Sequence, residues 1–261
     1  MNKNLIVSSS DKNYSTLLLE LYKSVLKTND YDFAVLDCGI SENVKDYLNQ
    51  KNVQIKEPIW EFEVPKYKVR GREYLKAQFS RFYLDKYFPG YDNYIWMDSD
   101  TWINCKDTFK FYIQGASEKG FAICPQIDRS SPILINIRWL WNYPSKINSI
   151  NYKNISRSIS KNLGKKYAGY YTLNAGCFSY NSKFDGLNNI KKNLALSSKK
   201  GRVFGSDQVA LALTMFEDKV SFELLPSYCN WICEHHMPQF NQDKNKFVEP
   251  YIPSHNIAVI H

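Results

Sequence analysis

Two acidic side chains one residue apart, Asp98 and Asp100, form the clearest candidate for a cation-binding pair in this sequence. They follow residues 94–97, a largely apolar run that is typical of a buried strand ending in water. On an extended chain, carboxylates at positions i and i+2 point the same way and repel each other, so a cation beside them stabilises the pair. Oxygen ligands of this kind suit Mn²⁺ or Mg²⁺ completed by phosphate oxygens. The alternative is a polar turn that binds nothing.

Short apolar runs alternate with amphipathic segments before this acid pair. The alternation predicts three strands and two helices, which are residues 5–7, 15–27, 33–37, 41–48 and 53–55. Such an order is typical of an α/β fold with a doubly wound, mostly parallel sheet, whose ligand site lies at the C-terminal ends of the strands. The polar stretch after the first strand, residues 8–14, is therefore expected in the site.

A positively charged residue, Arg81, is expected close to the acid pair. The apolar spacing of residues 74–87 predicts a helix that stops before Pro89 and Gly90 and leads into the strand ending at Asp98. A guanidinium fixed beside two carboxylates and a diphosphate would orient both groups. The alternative is an ordinary solvated charge on a helix surface.

Another acid, Asp128, stands at the end of a later predicted strand, residues 121–128. After it, residues 130–171 lose a clear periodicity and carry aromatic side chains among Ser, Asn and Lys. Exposed rings of this kind stack against sugar faces, and a packed surface excursion explains them equally well. The rings concerned are Trp139, Trp141, Tyr143 and Tyr152.

Two later segments combine small residues with polar ones. Residues 172–181 begin with small residues, including Gly176, where the backbone must come close to another group, and continue as a strand. Further on, a glycine-serine turn presents Asp207 and Gln208 at the start of an apolar helix, where an amide is placed to contact a ligand. The alternative is ordinary N-capping by Ser206 or Asp207.

His261 ends a strand-like run at the C-terminus. A neutral imidazole there would complete an Asp/Asp/His metal shell, and the alternative is a solvated chain end. A second candidate metal site is Cys229 and Cys233 with His235 and His236. Its cysteine spacing departs from the common zinc pattern and no second cysteine pair accompanies it, so a structural role is favoured.

Composition limits the function classes further. The six cysteines follow no framework spacing and lie mostly in apolar segments, which indicates reduced core residues. The N-terminal apolar run is too short for a signal peptide, so we expect a cytoplasmic protein. A net charge of +8 favours anionic partners, such as nucleotide-sugars, acidic glycans or the inner face of an anionic membrane. No DNA- or RNA-binding motif accompanies the charge, so we expect no nucleic acid partner.

With these pieces in order, the sequence resembles the family 8 glycosyltransferases, retaining enzymes that include glycogenin and bacterial lipopolysaccharide galactosyl- and glucosyltransferases. The resemblance spans nearly the whole chain, and order and spacing both fit. The motifs that carry it are residues 10–14, 35–41, 80–82, 96–100, 173–176, 207–208 and 259–261. The family implies a GT-A fold, a single Rossmann-like domain over residues 1–261, with residues 130–171 as a candidate acceptor-side excursion. It also implies a UDP-sugar donor and Mn²⁺, with Mg²⁺ as the alternative ion.

The resemblance assigns roles to individual residues. Asp98, Asp100 and His261 fall where the family binds its metal, and Asp98 also approaches the ribose. Asp11, Asn13 and Tyr14 fall where the family holds uracil and ribose, and Ser8 is expected to contribute backbone contacts. Ser99, between the two acids, is a further expected donor-binding residue. Residues falling where it holds the donor hexose and the reacting centre are Arg81, Asp128, Asn174, Ala175, Gly176, Asp207 and Gln208.

The resemblance leaves the reaction course and the closure of the site open. Gln208 is a poor nucleophile, so we expect substitution on one face of the sugar through an oxocarbenium-like ion pair; a covalent adduct at Asp207 is the alternative. Family members typically continue past the terminal histidine with a glycine and a lysine that close over the diphosphate, whereas this sequence ends at His261.

Two functional alternatives are a nucleotide-sugar or glycan-binding module without turnover and a nucleotidyltransferase. The second would carry a glycine-rich phosphate loop after the first strand, and residues 8–11 are not one.

Overall fold

The computed structural model describes residues 3–28 and 30–261. Its strands are β1 Asn4–Ser10, β2 Asp32–Asp37, β3 Gln54–Lys56, β4 Asn93–Met97, β5 Trp102–Ile103, β6 Phe121–Gln126, β7 Asn136–Leu140, β8 Tyr143–Asn148, β9 Thr172–Asn181, β10 Glu223–Leu224, β11 Gln239–Asn241, β12 Lys246–Val248 and β13 Val259–Ile260. Its helices are α1 Ser15–Leu26, α2 Glu42–Gln50, α3 Lys66–Val69, α4 Ala77–Ser80, α5 Leu84–Tyr87, α6 Lys106–Phe109, α7 Phe111–Lys119, α8 Ile150–Ser158, α9 Lys161–Lys166, α10 Leu187–Lys200 and α11 Ser206–Phe216.

Seven strands form one mixed sheet in the order β10-β6-β9-β4-β1-β2-β3. Strands β3, β2, β1 and β4 pair in parallel, as do β10 and β6, and β9 runs antiparallel between β4 and β6. The chain leaves β1 toward β2 on one side and later returns to β4 on the other side. The order of strands therefore reverses at β1, and a crevice opens at the C-terminal ends of β1 and β4.

Both faces of this sheet are covered, which explains the continuous apolar runs. All five residues of β4 are buried, and their side chains alternate between two hydrophobic clusters: Tyr94 and Trp96 belong to one, Ile95 and Met97 to the other. Because successive side chains of a strand point to opposite faces, these clusters lie on the two faces of the sheet. The predicted α/β fold with a mostly parallel central sheet is thus confirmed.

The helix predicted over residues 74–87 is wrong in its continuity. The structure divides this stretch into a single helical turn at Glu73–Lys76, then α4, then α5. The amides of Phe82 and Tyr83 donate to carbonyls three residues back, and Tyr83 has φ −130° and ψ 28°, outside the helical range. Since Phe79, Phe82 and Leu84 are all fully buried, burial of successive apolar side chains overrides the helical period here.

Residues 130–171 are more ordered than their sequence suggests. They contain a β7–β8 hairpin, followed by α8 and α9. The two helices pack on α11 through a small third cluster that includes Ile155, Tyr167 and Phe216. The aromatic rings of the hairpin are exposed to solvent: Trp139, Trp141 and Tyr143 are 59%, 90% and 77% exposed. Among the residues that the structure describes, no helix combines the length and apolar character needed to cross a bilayer.

Candidate active site

The crevice between β1 and β4 holds a cavity of about 470 Å³, which we call the β1–β4 cavity. Its walls come from the end of β1 and the loop after it, one residue after β2, the turn after β4, the broken helical stretch before β4 and one residue ahead of α11. The lining residues are Ser9, Ser10, Asp11, Asn13, Tyr14, Cys38, Tyr74, Leu75, Ala77, Gln78, Arg81, Asp98, Ser99, Asp100 and Phe204. Six of the predicted binding residues therefore meet Arg81 around one space.

The acid pair lies on a turn and not on an extended chain, which corrects the sequence-based geometry. Strand β4 ends at Met97, and the Thr101 amide donates to the Asp98 carbonyl at 3.1 Å. Even so, one ligand atom from each of Asp98, Asp100 and His261 lies within 4.8 Å of the others. Two carboxylate oxygens and an imidazole nitrogen form a donor set that fits a divalent ion such as Mn²⁺.

The imidazole of His261 is positioned by two long-range contacts. Strand β13 pairs with β5, directly after the acid pair in the chain, and the Nδ1 atom of His261 lies 3.1 Å from Oδ1 of Asn230. A side-chain amide oxygen accepts a hydrogen bond from Nδ1–H, which leaves Nε2 with its lone pair. Nε2 is the atom that faces Asp100, 3.9 Å from its Oδ1, so the tautomer favoured by Asn230 is the one that can bind a metal.

Position 176 requires a glycine, because Asp98 and His261 leave no room for a side chain there. The Asp98 amide donates to the Gly176 carbonyl at 2.7 Å, which brings β9 against the acid turn. A Cβ at position 176 would lie 3.0 Å from Asp98 Oδ2 and closer still to the His261 ring. The small residue predicted from the sequence thus leaves room for two of the three candidate metal ligands.

Arg81 is buried and joins two carboxylates, so it is not a solvated helix charge. Its guanidinium lies 3.3 Å from Asp98 Oδ1 and 3.2 Å from Asp207 Oδ2, and it donates to the Ala175 carbonyl at 2.8 Å. It also stacks over Trp96, 4.5 Å from the ring centroid. With Oδ1 of Asp98 held by Arg81 and by Trp96 Nε1 at 2.7 Å, Oδ2 is the oxygen left for a ligand.

Asp207 does not cap its helix. Gly205, with φ +82°, precedes α11, and the Asp207 side chain points to Arg81 instead. Burial raises the pKa of the Asp207 carboxyl, and the charge of Arg81 opposes that rise. The half-buried Gln208 donates its backbone amide to Asp207 Oδ1 at 2.9 Å, whereas its side-chain amide makes no hydrogen bond within residues 3–28 and 30–261. Gln208 therefore keeps a free amide beside a carboxylate that is already engaged.

The loop after β1 forms a compact polar turn at the cavity. Asp11 Oδ1 accepts from the amides of Asn13 and Tyr14 at 2.9 and 3.2 Å, and the Tyr14 ring is 47% exposed. Ser8, predicted to contribute through its backbone, is fully buried in β1, and its Oγ has no hydrogen-bond partner among the described residues. Ser9 and Ser10 line the cavity in its place.

Asn174 and Asp128 differ in their distance from the acid turn: Asn174 lies in the segment beside it, whereas Asp128 lies outside the β1–β4 cavity. Asn174 is buried, and its Oδ1 accepts from the Gly176 amide at 2.7 Å, so it stabilises the segment that approaches the acid turn. Asp128 follows β6 with φ +71° and an exposed carboxylate that accepts from Ser227 Oγ at 3.2 Å. Asp128 is not among the residues that line the β1–β4 cavity.

Several residues of the site were missed from the sequence. Cys38, Tyr74, Gln78 and Phe204 line the cavity, and Asn230 orients His261. Cys38 directly follows β2 and lies within the motif of residues 35–41, but no role was assigned to it. The others lie in no recognised motif and reach the site through the course of the whole chain. The Cys229, Cys233 and histidine group, by contrast, gives no three-residue metal cluster in the described part of the chain, where the cluster found is Asp98, Asp100 and His261.

Comparisons with known proteins give a family match and several structural likenesses. The sequence matches the profile of glycosyl transferase family 8 over residues 5–261. No curated protein sequence matches. A solved structure of the galactosyltransferase LgtC in complex with donor and acceptor sugar analogues superposes with a TM-score of 0.57 at 18% identity, covering 98% of this chain and 86% of that one. The apo structure of mouse xyloside xylosyltransferase 1 gives a TM-score of 0.54 at 10% identity, covering 100% and 97%.

The structural likeness shows the fold, which is the GT-A fold of these glycosyltransferases. The sequence match shows the family, because it extends over nearly the whole chain and includes the acid turn, the β9 segment and the terminal histidine. The chain therefore belongs to glycosyl transferase family 8.

Proposed function

We propose that the protein is a retaining glycosyltransferase that moves a hexose, glucose or galactose, from a UDP-sugar to a saccharide or glycolipid acceptor. The observation that carries this proposal is the cluster of Asp98, Asp100 and His261, of which the two acids line the β1–β4 cavity. The proposed setting is the synthesis of a bacterial lipopolysaccharide or capsule.

The cofactor in this proposal is Mn²⁺, with Mg²⁺ as the alternative. Asp98 Oδ2, an Asp100 oxygen and His261 Nε2 would hold it, because these atoms converge and form no hydrogen bond with another described side chain. When bound, the ion neutralises charge on the departing diphosphate. The imidazole favours Mn²⁺ over Mg²⁺, since Mg²⁺ prefers an all-oxygen shell.

The loop after β1 is the proposed nucleoside site. It offers the exposed ring of Tyr14 for stacking and the Asn13 side chain for hydrogen bonds at the end of the cavity nearest β1. Ser99 and Ser10 line the same space with hydroxyl groups. A cavity of about 470 Å³ is in the range of sites that bind small organic ligands.

Transfer with retention is proposed to occur on one face of the sugar. The bond from the anomeric carbon to the diphosphate oxygen breaks, and its electron pair leaves with the diphosphate. The acceptor hydroxyl forms the new bond on the same face, and its proton passes to the departing phosphate oxygen. Arg81 holds Asp207 in a buried ion pair, so the free amide of Gln208 is the better candidate to stabilise the sugar cation.

The first experiment measures thermal shifts with UDP and Mn²⁺, together with UDP release from UDP-glucose and UDP-galactose. A Mn²⁺-dependent rise in Tm with UDP is expected, because a ligand that binds only the folded state stabilises it. Asp100→Ala should abolish the rise, whereas the matched control Asp243→Ala, an exposed acid elsewhere, should preserve it. No shift in the wild type would contradict the proposal, and a shift without UDP release would favour the binding-module alternative.

A second experiment tests the reaction course. Gln208→Ala is expected to slow transfer without weakening UDP binding, because its amide would act on the sugar and not on the nucleotide. Mass spectrometry of the enzyme after brief exposure to donor should detect no sugar adduct. An adduct on Asp207 would support the covalent double displacement instead.

Peripheral contact with an anionic membrane is part of the proposal. The β7–β8 hairpin exposes Trp139, Leu140, Trp141 and Tyr143, and it also carries Arg138 and Lys146. Aromatic rings next to cations suit the interface of a bilayer with acidic headgroups. A glycolipid acceptor would place the enzyme at such a surface.

A further inference from the structure

A second cavity, which we call the basic cavity, has a volume of about 460 Å³. Its charged lining residues are Lys68, Arg70, Arg72 and Arg202. Tyr67, Gly201, Val203 and Phe204 complete the lining, so no carboxylate faces this space within the described part of the chain. A narrow cleft that shares Arg202 and Phe204 with it adds one more guanidinium, that of Arg157.

These cations lack counter-charges. Across residues 3–28 and 30–261, none of the five forms a salt bridge. Lys68 donates to the carbonyls of Ser198, Lys199 and Gly201, and Arg70 and Arg72 donate to backbone carbonyls of the α3 turn. These bonds fix the positions of the side chains but neutralise no charge.

The side chains of Arg202 and Arg157 make no hydrogen bond with a described residue, and both residues are exposed. Several positive charges around the basic cavity raise its electrostatic potential, and they repel one another unless an anion binds there. Guanidinium groups in particular present paired N–H donors that match phosphate and carboxylate oxygens. The hollow is therefore suited to an anionic ligand.

Phe204 connects the basic cavity to the candidate active site. Its ring is 64% exposed, and it lines the β1–β4 cavity and the basic cavity alike. It lies three residues before Asp207, at the turn that starts α11. A sugar stacked on this ring would contact the candidate active site on one side and the cations on the other.

We propose that the acceptor is an anionic saccharide, whose phosphate or carboxylate group binds in the basic cavity while its ring stacks on Phe204. This inference rests on the proposed glycosyl transfer. In the proposed function the donor diphosphate binds at the Asp98, Asp100 and His261 cluster, so the basic cavity is left for a second anion. The shared chemistry of a phosphorylated sugar and a uronic acid is the negative charge, and the experiment separates the two.

The test compares glucose, glucose 6-phosphate and glucuronic acid as probes, by saturation-transfer NMR and calorimetry with the full chain, UDP and Mn²⁺. At least one anionic probe is expected to bind about tenfold more tightly than glucose. The advantage should shrink as NaCl rises, because salt screens the attraction. A gain for glucose 6-phosphate alone identifies a phosphate, and a gain for glucuronic acid alone identifies a carboxylate.

The variant Arg70→Gln/Arg202→Gln should remove this advantage and leave the UDP-induced thermal shift unchanged. Arg138→Gln, a single exposed arginine on the β7–β8 hairpin, is the control that should keep it. Equal binding of all three probes, or an advantage that survives the double substitution, would overturn the inference. The proposed function would still stand in that case if UDP and Mn²⁺ raise the Tm of the wild type. Absence of a UDP response in the wild type would overturn both.

Phe204→Ala separates stacking from charge. It should weaken glucose and the anionic probe by a similar factor of about three to ten, because ring stacking does not depend on the charge of the sugar. A selective loss of the anionic probe alone, or no loss for either probe, would contradict the placement of the sugar on this ring.

Discussion

Gly176→Ala is the sharpest perturbation of the candidate metal site, because it adds one methyl group in the middle of it. The new Cβ would lie 3.0 Å from Asp98 Oδ2 and 3.0 Å from Asn174 Oδ1, with the His261 ring closer than either. Carbon atoms normally pack about 3.5 Å or more apart, so the imidazole must move by about 1 Å. Asn230 and the β13–β5 pairing oppose that movement.

The expected consequence is a large loss of metal affinity with a smaller loss of stability. Overpacking a well-filled position lowers the free energy of unfolding by about 1–3 kcal/mol, or about 2–10 °C in Tm for a chain of this size. Misplacing a metal ligand lowers affinity by about 10- to 100-fold, as removal of its orienting partner does. Calorimetric titration of Mn²⁺ with UDP present, beside a melting curve, measures both effects.

The matched control is Gly169→Ala, since a Cβ there meets no atom within 4 Å. A second comparison places Gly176→Ala in a His261→Ala background, where the largest clash is already gone. The two substitutions should then be clearly non-additive. Wild-type Mn²⁺ affinity in Gly176→Ala, or full additivity with His261→Ala, would refute the reasoning.

Three further predictions concern other parts of the molecule. Arg81→Gln should lower the free energy of unfolding by about 3–5 kcal/mol in urea titrations, because it leaves Asp207 buried without its cation. Burial acts to raise the pKa of the Asp37 carboxyl, but hydrogen bonds from Lys45 and two backbone amides outweigh it and lower the pKa. Asp37→Asn should therefore lower the free energy of unfolding by about 1 kcal/mol at pH 7. This difference from wild type should disappear as the pH falls below 4 and passes the lowered pKa, because Asp37 is then protonated. Trp141→Ser should lower the affinity for anionic vesicles, measured by co-sedimentation, about tenfold.

Each of these has an outcome that contradicts it. For Arg81, the deficit should shrink when Asp207→Asn is added, and an unchanged deficit would remove the ion pair as its cause. For Asp37, a stability difference that persists at low pH would indicate lost packing instead of a lost charge. For the hairpin, equal vesicle binding by wild type and Trp141→Ser would show that this ring does not contact lipid.

Local physical chemistry explains what could be predicted from the sequence. Apolar runs bounded by polar turns identified β1, β2, β4, β6 and β9, since strands covered on both faces must be apolar throughout. The acid turn was recognisable because two carboxylates after such a strand need a cation or water. The small segment of residues 174–176 was recognisable because only a glycine tolerates so close an approach.

Contacts between distant parts of the chain were decided by the tertiary structure alone. The burial of Arg81 between Asp98 and Asp207 has no local signature, because it depends on β9 and α11 meeting the broken helix before β4. The same broken helix defeated a prediction from periodicity, since core packing overrode a weak helical preference. The neighbourhood of Phe204, with one cavity on each side, likewise exists only once the loops after α3 and α10 are brought together.

The sequence alone thus determined the family, the strand-and-helix alternation and most of the chemical groups of the site. The tertiary structure decided which oxygen of Asp98 is free, which nitrogen of His261 faces Asp100, and where uncompensated positive charge collects. The physical reason is that side-chain types and local periods are written along the chain, whereas hydrogen-bond partners and electrostatic neighbours depend on the order in which the strands assemble.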